Sequence, residues 1–257
     1  MPRFSIITPT YNRADGQSGG RLKRCLRSTL MQEYQDFEHI LVDDGSTDET
    51  QARMRLGAIS HSAVRYIRID HSDRVIARNS GMQESCSQWL LWLDSDDALD
   101  PMYLKTVDYH IRQNPEARLF VCGAVVHGMV KEEGRYEAVK WTKLRPAWVP
   151  PFVDRNATNF RIAPKWVHGY FPSGKVGTGM FIFHREALEK VGPMPDWRSH
   201  LEVADGIDEW LGYETGYSAA KKWVGNPWGE DHAYFSKLSH FYQVHPIPAA
   251  LYVQYVR

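Results

Sequence analysis

Asp94 and Asp96 follow a short, fully apolar segment, residues 89–93 (WLLWL), and are followed by Asp97. In an extended chain, residues two apart point to the same side, so the first two carboxylates can face one ligand. Carboxylates at the end of a buried strand are costly unless something neutralises them. Because Mg²⁺ and Mn²⁺ use one or two carboxylates and leave positions for water and phosphate oxygens, the pattern favours a site for one of these ions. The alternative is that the aspartates only end a strand and cap the next helix.

Two earlier segments also have the character of strands that end in polar residues. Residues 4–9 (FSIITP) precede Tyr11, and residues 39–42 (HILV) precede Asp43 and Asp44. Apolar residues between these segments fall at helical spacing, so strand and helix alternate as in βαβ units. Ligands of such parallel sheets bind beyond the carboxyl ends of the strands. We therefore expect these polar strand ends to meet at one edge of an α/β sheet.

The same pattern predicts the remaining elements. Further strands are expected at residues 64–69, 119–126 and 178–183, and helices at residues 22–30, 77–86, 101–113, 185–191 and 230–241. Ser46 and Glu49 have the spacing of a capping box, which predicts that Ser46 caps a helix after the second strand. From about residue 132, proline, tryptophan and glycine become frequent and the periodicity fades. We expect a single domain, with a regular half at about 1–131 and a loop-rich half at about 132–257.

Composition and charge exclude several classes of protein. The 31 Lys and Arg residues balance 31 Asp and Glu residues, so no nucleic-acid partner is expected. No apolar run approaches the ~20 residues that a membrane-spanning helix needs, and no secretory signal is visible. Cys25, Cys86 and Cys122 lack metal-binding spacing, fit a reducing cytosol and are expected to be buried. We expect a cytoplasmic protein, and leave open its oligomeric state and a peripheral association with the inner face of the membrane.

Six short blocks occur in the order and approximate spacing of the family 2 glycosyltransferases of the GT-A fold, which the chain resembles from about residue 4 to its end. The blocks are residues 5–13 (SIITPTYNR), 40–48 (ILVDDGSTD), 77–81 (ARNSG), 93–97 (LDSDD), 177–185 (GTGMFIFHR) and 228–231 (WGED). Each block is short, but six in the correct order are specific. The resemblance implies a single α/β domain of GT-A fold, with a Rossmann-like, mostly parallel nucleotide-binding half and a loop-rich acceptor-binding half.

The resemblance also implies a reaction and a donor site. Members of the family transfer a sugar from a nucleoside diphosphate, commonly a uridine one, with inversion at the anomeric carbon. Pro9 and Tyr11 match the turn that packs on the base, and Asp44 matches the carboxylate that accepts the N3–H of uracil. Arg78 matches an arginine near the diphosphate. Mn²⁺ or Mg²⁺ is the expected cofactor. Its ligand would be Asp96, and Asp94 would reach the ribose or the metal.

On the acceptor side, the resemblance assigns the catalytic base. Asp231 would take the proton of the acceptor hydroxyl and Glu230 would position the acceptor, which is a glycan, a lipid-linked molecule or a small molecule. Both residues begin a predicted helix, whose dipole would keep them ionised. Trp228 would stack on an acceptor sugar, and Gly179 would let a ligand approach the backbone. A rival base lies in residues 205–209 (DGIDE).

Two departures from the family pattern leave other functions open. The loop at residues 13–23 is long, glycine-containing and basic, which is a loose version of the phosphate loop of a sugar nucleotidyltransferase. Many members carry a late histidine at the metal, after a tyrosine-rich terminal strand that residues 251–257 resemble. Here that histidine would lie beyond Arg257. His245 is the nearest substitute, but a histidine beside Pro246 is more often a loop residue. A non-catalytic partner protein that binds a nucleotide sugar or a glycan is therefore the main alternative to a transferase.

Overall fold

The computed structural model describes residues 1–14, 20–132, 135–138, 160–161, 178–194 and 230–256. Strands and helices first alternate, in the order β1 (Phe4–Thr10), α1 (Gly20–Leu30), β2 (Phe37–Asp44), α2 (Thr50–Ser60), β3 (Val64–Ile69), α3 (Arg74–Glu84) and β4 (Trp89–Trp92). These four strands are parallel and lie in the order β3-β2-β1-β4. β1 and β2 are buried along their whole length, including polar side chains such as those of Thr8, Glu38 and His39.

The second part of the sheet contains antiparallel strands. The chain continues through β5 (Ala98–Leu99), α4 (Tyr103–Gln113), β6 (Leu119–Glu132), β7 (Arg135–Ala138), β8 (Phe160–Arg161), a 3-10 turn (Thr178–Met180), β9 (Phe181–His184), α5 (Arg185–Val191), α6 (Glu230–Phe241) and β10 (Val244–Val256). β9 lies antiparallel between β4 and β6, and β10 lies parallel to β6. β5 pairs antiparallel with β10, and β7 and β8 pair with β6.

Strand directions decide which loops share an edge of the sheet. Because β9 is antiparallel to both β4 and β6, β4 and β6 point the same way, and β10 follows β6. The carboxyl ends of β1 to β4, β6 and β10 therefore lie at one edge, here called the carboxyl edge, and β9 begins there. The opposite edge is called the amino edge. The loops after β1, β2 and β4 meet at the carboxyl edge, as the sequence predicts.

Helix α3 packs closely on the sheet because Gly81 has no side chain. A Cβ atom at Gly81 would collide with Ile7 Cγ2 and would lie 3.0 Å from Val42 Cγ2. Asp73 caps the helix by accepting a hydrogen bond from the backbone N–H of Val75. A larger residue at position 81 would push α3 away from β1 and β2, so this glycine sets the depth of the whole helix.

Trp92, the last residue of β4, packs against later parts of the chain. The centroid of its ring lies 5.4 Å from that of Phe181, 5.7 Å from that of Phe183 and 5.0 Å from that of Tyr234. Tyr234 also donates a hydrogen bond to the Gly192 carbonyl oxygen at 3.1 Å. Since Tyr234 belongs to α6, this helix is anchored at the carboxyl end of β4.

The expected capping box at Ser46 is wrong. α2 begins at Thr50, and Ser46 Oγ instead accepts a hydrogen bond from the Asn12 backbone N–H at 3.0 Å. Asp48 Oδ1 accepts from the Thr50 backbone N–H at 2.9 Å. Ser46 is therefore bound to Asn12 in the loop after β1 and does not cap α2. Asp48 instead closes the turn before this helix.

Three further local expectations can be compared with the structure. Cys25 and Cys122 are buried as expected, whereas Cys86 is exposed, because it lies where the chain turns after α3 at the amino edge. The strand expected at residues 178–183 begins only at Phe181, after the 3-10 turn. Within the described ranges, no helix has both the length and the apolar character needed to cross a membrane.

Candidate functional site

Arg78, on α3, is buried beside Asp94 at the carboxyl edge. Its Nη2 donates to Asp94 Oδ1 at 2.9 Å, and Thr178 Oγ1 donates to Asp94 Oδ2 at 3.2 Å. The guanidinium carbon lies 5.2 Å from the centroid of the Trp92 ring, within cation–π range. The side chain of Asp94 remains 34% exposed. Arg78 therefore orients an accessible carboxylate; its expected contact with a diphosphate stays a prediction.

Asp96 has a cationic partner of its own. Arg13 Nη2 lies 3.1 Å from Asp96 Oδ2, and Arg24 Nη2 donates to the Asp96 backbone oxygen at 2.8 Å. The Asp96 side chain is 24% exposed. An ion pair this accessible contributes at most about 1 kcal/mol. A divalent cation could therefore displace Arg13 from the carboxylate at small cost.

The carboxylates of Asp94 and Asp96 fit Mg²⁺ or Mn²⁺, provided that other ligands complete the coordination. Both are hard oxygen donors at a solvent-accessible edge. Among the described residues, no cluster of three or more His, Cys, Asp or Glu side chains could hold a metal ion. Mg²⁺ in particular is commonly held by one or two carboxylates together with substrate phosphates and water. This donor set suits a cation that a diphosphate helps to bind.

Asp97 links the loop at residues 94–97 to β10. It is buried and accepts a hydrogen bond from the hydroxyl of Tyr252 on β10. Burial, followed by the nearby charge of Asp97, raises the pKa of Tyr252 well above its ordinary value, so the hydroxyl stays protonated and donates.

Gly179 packs directly against Tyr252. A Cβ atom at Gly179 would collide with the Tyr252 ring, and the Gly179 carbonyl oxygen accepts from the Tyr103 hydroxyl at 2.8 Å. The sequence predicts that Gly179 lets a ligand approach the backbone. In the structure, the Tyr252 ring makes this close approach. A contact between Gly179 and an acceptor stays a prediction.

The loops after β1 and β2 are tied together by Asn12. Its φ of 46° lies in the left-handed region, which asparagine tolerates better than most residues. Its backbone N–H donates to Ser46 Oγ at 3.0 Å, and its Oδ1 accepts from the Thr47 backbone N–H at 2.9 Å. These bonds fix Tyr11, the preceding residue, relative to the loop that carries Asp44.

Asp44, expected to bind a base, is covered by residues that follow β3. Asp44 Oδ1 accepts from the Ser72 backbone N–H at 2.8 Å, and His71 Nδ1 lies 3.1 Å from Asp44 Oδ2. The ring of Tyr11 stacks on His71, with centroids 4.0 Å apart and planes 13° apart. Pro9 is buried within β1, where it pairs with Val42 of β2. The structure therefore brings Tyr11 and Asp44 to one place, as predicted, and adds His71 and Ser72.

His245 does not substitute for a late metal-binding histidine. It lies near the start of β10, where it pairs with Phe120 of β6, and the two rings are 5.5 Å apart. That position is at the amino edge, on the other side of the sheet from Asp96. Burial lowers the pKa of His245. Strand direction carries this histidine away from the aspartates, and it lies in a strand instead of the loop expected for a histidine beside Pro246.

The structure locates the expected catalytic base only by its backbone. Glu230 and Asp231 are the first two residues of α6, as the sequence predicts. Trp228 and the rival cluster at 205–209 lie outside the described residues. Because Tyr234 of the same helix packs on Trp92, α6 is anchored two residues before Asp94 along the chain. The roles of Glu230, Asp231 and Trp228 stay predictions.

Sequence reasoning missed three residues of this edge. His71 and Ser72 follow β3, a third parallel strand, so the strand-end rule applied to β3 would have indicated them. Thr178 lies in the block at 177–185, but its bond to Asp94 joins residues 84 positions apart, and no local pattern reveals such a pairing.

Comparison with known proteins gives relatives of one kind. The model of glycosyl transferase family 2 matches residues 5–192. A PGL/p-HBAD biosynthesis glycosyltransferase of Mycobacterium bovis is 40% identical over 99 residues, which are 38% of this chain and 37% of the relative. Glycosyltransferase GlyA of Streptococcus pneumoniae is 28% identical over 105 residues, 41% of this chain and 14% of the relative. These matches therefore span well under two thirds of either relative.

Two solved structures share the fold. S. aureus TarS 1-349 superposes with a TM-score of 0.57 at 17% identity, covering 98% of this chain and 60% of TarS 1-349. The mannosyltransferase PcManGT of Pyrobaculum calidifontis, in complex with GDP-Man and Mn²⁺, gives a TM-score of 0.58 at 18% identity, covering 98% of this chain and 56% of that chain. At these identities the likeness establishes the fold, and the expected GT-A fold is confirmed. Because the family model also covers well over half of the residues, the chain belongs to glycosyl transferase family 2, a family of enzymes.

Proposed function

We propose that this chain is an inverting, metal-dependent glycosyltransferase that moves a sugar from a uridine diphosphate sugar to a hydroxyl group of a glycan, lipid-linked or small-molecule acceptor. The observation that carries the proposal is the meeting of Asp44, Asp94 and Asp96 at the carboxyl edge. Three acidic side chains from two strand ends lie where ligands of parallel sheets bind. Because the chain belongs to glycosyl transferase family 2, we interpret this edge as the site of the nucleotide-sugar donor.

Asp44 and Tyr11 are proposed to bind the base. The Asp44 carboxylate only accepts hydrogen bonds, so it favours a base whose ring carries an N–H, as uracil does. The exposed ring of Tyr11 offers a stacking surface beside it. Thr10 Oγ1, next to Tyr11, is buried with no hydrogen-bond partner among the described side chains, and a polar group of the nucleotide could satisfy it. TarS has been solved in complex with UDP and PcManGT in complex with GDP-Man, and both bases carry such an N–H.

Asp96, together with Asp94, is proposed to hold Mn²⁺ or Mg²⁺. When bound, the cation would offset negative charge that develops on the leaving diphosphate. Arg13 would release Asp96, while Arg78 and Thr178 would keep Asp94 oriented. The freed guanidinium of Arg13 would then be available to the diphosphate oxygens at the same edge.

Asp231 is proposed as the general base. In an inverting transfer, a carboxylate on the far side of the sugar from the diphosphate takes the proton of the acceptor hydroxyl. The support comes from the backbone: α6 begins at Glu230, and its Tyr234 packs on the tryptophan that ends β4. Glu230 and Trp228 are proposed to position the acceptor at the start of this helix.

Calorimetric titration with UDP tests the donor site. UDP is expected to bind more tightly with Mn²⁺ than with EDTA, and Asp96→Asn is expected to abolish this difference. Asp36→Asn, which alters an exposed aspartate outside the carboxyl edge, is the matched control and should behave as the wild type. Equal affinity with Mn²⁺ and EDTA would contradict the metal assignment, and tighter binding of GDP than of UDP would contradict the choice of uridine.

Donor turnover separates a transferase from its alternatives. The chain with Mn²⁺ is expected to release UDP from a UDP-sugar, faster when a suitable acceptor is present. Binding without hydrolysis or transfer over a panel of acceptors would instead identify a nucleotide-sugar-binding partner protein. Formation of a nucleotide sugar from a nucleoside triphosphate and a sugar phosphate would identify a nucleotidyltransferase.

A further inference from the structure

His71 makes two contacts at the proposed base site. Its ring lies parallel to that of Tyr11, with centroids 4.0 Å apart and planes 13° apart. Its Nδ1 lies 2.9 Å from the Asp44 backbone oxygen and 3.1 Å from Asp44 Oδ2. His71 thus contacts both Tyr11 and Asp44, the two residues proposed to bind the base.

These two contacts are the ones that a base would need. Uracil is a flat ring whose N–H could donate to the Asp44 carboxylate while its face stacks on Tyr11. At 4.0 Å between centroids, the two rings are already in van der Waals contact, so no third ring fits between them. The Asp44 side chain is only 6% exposed while His71 covers it. A base that uses this face of Tyr11 and Asp44 Oδ2 must therefore take the place of the imidazole.

We infer that His71 is an internal substitute for the nucleotide base: it occupies the stacking face of Tyr11 and the carboxylate of Asp44, and it must turn away before a nucleotide binds. The inference rests on the proposed function, because it takes Tyr11 and Asp44 as the base site. It adds a control of access at that site. In the free chain, His71 pairs with the Asp44 carboxylate and stacks on Tyr11. In the bound chain, the nucleotide base takes the place of the imidazole ring.

The surroundings allow the side chain to move while the backbone stays. The His71 side chain is 47% exposed, so solvent is available to receive it. Its backbone is held against Gly45, whose φ is +70°; a Cβ atom there would come within 2.7 Å of His71 N. Ser72 continues to hold Asp44 Oδ1 through its backbone N–H and its hydroxyl. Rotation of the imidazole would therefore release Oδ2 and leave the carboxylate in place.

The inference predicts the sign of a change in affinity. A ligand that binds only the open form loses apparent affinity in proportion to the fraction of chains that are closed. From the usual strength of one hydrogen bond and one ring stack, His71→Ala is expected to bind UDP about 5- to 100-fold more tightly than the wild type. His71→Phe keeps a ring for Tyr11 but lacks the N–H, so its gain should be smaller.

The experiment titrates the wild type, His71→Ala and His71→Phe with UDP and Mn²⁺ by calorimetry, and circular dichroism confirms that each variant is folded. His61→Ala, which replaces a histidine just after α2, is the matched control and should leave the affinity unchanged. Equal or weaker binding by His71→Ala would overturn the inference, since a histidine that forms a wall of the site would give that result. Failure of every variant, including the wild type, to bind UDP would instead overturn the proposed function and the inference with it.

A second measurement follows the rings themselves. In nuclear magnetic resonance spectra of the free chain, protons of Tyr11 and His71 should show a nuclear Overhauser contact. This contact should disappear when UDP saturates the site. Its persistence in the UDP-bound chain would overturn the inference, whatever the affinities of the variants.

Discussion

The two edges of the sheet both carry acidic side chains, but their partners differ. At the amino edge, Glu38 is only 7% exposed and accepts hydrogen bonds from Ser5 Oγ at 2.6 Å and from the Cys86 backbone N–H at 2.8 Å. At the carboxyl edge, Asp96 is 24% exposed and is paired with Arg13. Glu38 Oε2 also pairs with Arg65 at 2.9 Å, but Glu38 Oε1 is held by a hydroxyl and a backbone N–H, whereas the Asp96 carboxylate is paired with the end of a long side chain.

The type of partner separates a structural acid from a candidate ligand-binding acid. A hydroxyl or a backbone N–H close to Glu38 cannot move away without disturbing β1 or the chain before β4. An arginine can leave a carboxylate by rotation of its side chain and remain hydrated. Asp96 is therefore able to exchange its partner, whereas Glu38 Oε1 is not. Four predictions test this difference, from the largest expected effect to the smallest.

The largest effect is expected at the start of α6, which the proposal adds to the carboxyl edge. Asp231→Asn should lower the rate of transfer by about 10²- to 10⁴-fold, the usual contribution of a general base, and leave the affinity for UDP nearly unchanged. Steady-state turnover and calorimetry measure the two quantities. If Asp208→Asn abolishes transfer while Asp231→Asn does not, the base belongs to the cluster at 205–209 instead.

Next comes His39, a buried residue of β2 that lies closer to the amino edge. Its ring is bonded to Thr8 Oγ1 at 2.8 Å and to Thr29 Oγ1 at 2.9 Å, and burial lowers its pKa from 6.5 to about 3. Between these pH values the unfolded chain binds a proton that the folded chain does not. The free energy of unfolding should therefore fall as the pH drops from 6.5 towards 3, by no more than about 1 to 1.5 kcal/mol per pH unit.

Urea unfolding at a series of pH values measures the stability, and the nitrogen chemical shifts of the His39 ring measure its protonation. At about pH 5, which is well above the lowered pKa, the His39 ring should remain neutral. A His39 ring that is protonated in the folded chain at that pH would show that the amino edge is not as closed as described.

A smaller loss of stability is expected from Glu38→Gln. Burial alone would raise the pKa of Glu38, but the Cys86 backbone N–H, the Ser5 hydroxyl and Arg65 together hold it below its ordinary value. The amide of glutamine presents an NH₂ group to donors, so the free energy of unfolding should fall by about 1 to 3 kcal/mol while UDP affinity is unchanged. Glu33→Gln, at an exposed ion pair with Lys105, is the matched control.

Because the folded pKa of Glu38 is lowered, its contribution to stability is present above the pKa of the unfolded chain. That contribution is lost as the pH falls through the lower, folded pKa. The difference between wild type and Glu38→Gln should therefore shrink in acid. A difference that grows in acid would contradict the assignment of Glu38 as an ionised, fully paired acid.

The smallest effect on stability is expected at Asp96. Asp96→Asn breaks a partly exposed ion pair, so the free energy of unfolding should change by less than about 1 kcal/mol. The same variant should lose the Mn²⁺ dependence of UDP binding. If instead Asp96→Asn destabilises the chain as much as Glu38→Gln does, the distinction between the two edges fails.

Much of this arrangement could be predicted from the sequence, because local patterns determine it. Short, largely apolar runs identified β1, β2 and β4, and the polar residues that follow them located Asp44, Asp94 and Asp96 at one edge. The start of α6 at Glu230 was also predicted, from the helical pattern that follows it.

The remaining contacts depend on tertiary structure that a linear pattern does not contain. Ser46 was expected to cap α2, but Asn12, 34 residues away, binds it first. Only the direction of β10 shows that His245 lies away from Asp94 and Asp96. The stack of Tyr11 on His71 joins two strand ends across β2, and neither residue alone indicates the other.

The bond between Tyr252 and Asp97 has a consequence for the order of folding. The two residues are 155 positions apart, and β10 must insert between β6 and β5 before the hydroxyl can reach the carboxylate. Closing so long a segment costs chain entropy before any contact repays it, so such pairings form slowly. We expect the early α/β units to fold while the loop at Asp94–Asp97 still lacks its hydrogen bond from Tyr252. The newly made protein would then complete the loop that is proposed to bind metal among its last folding events.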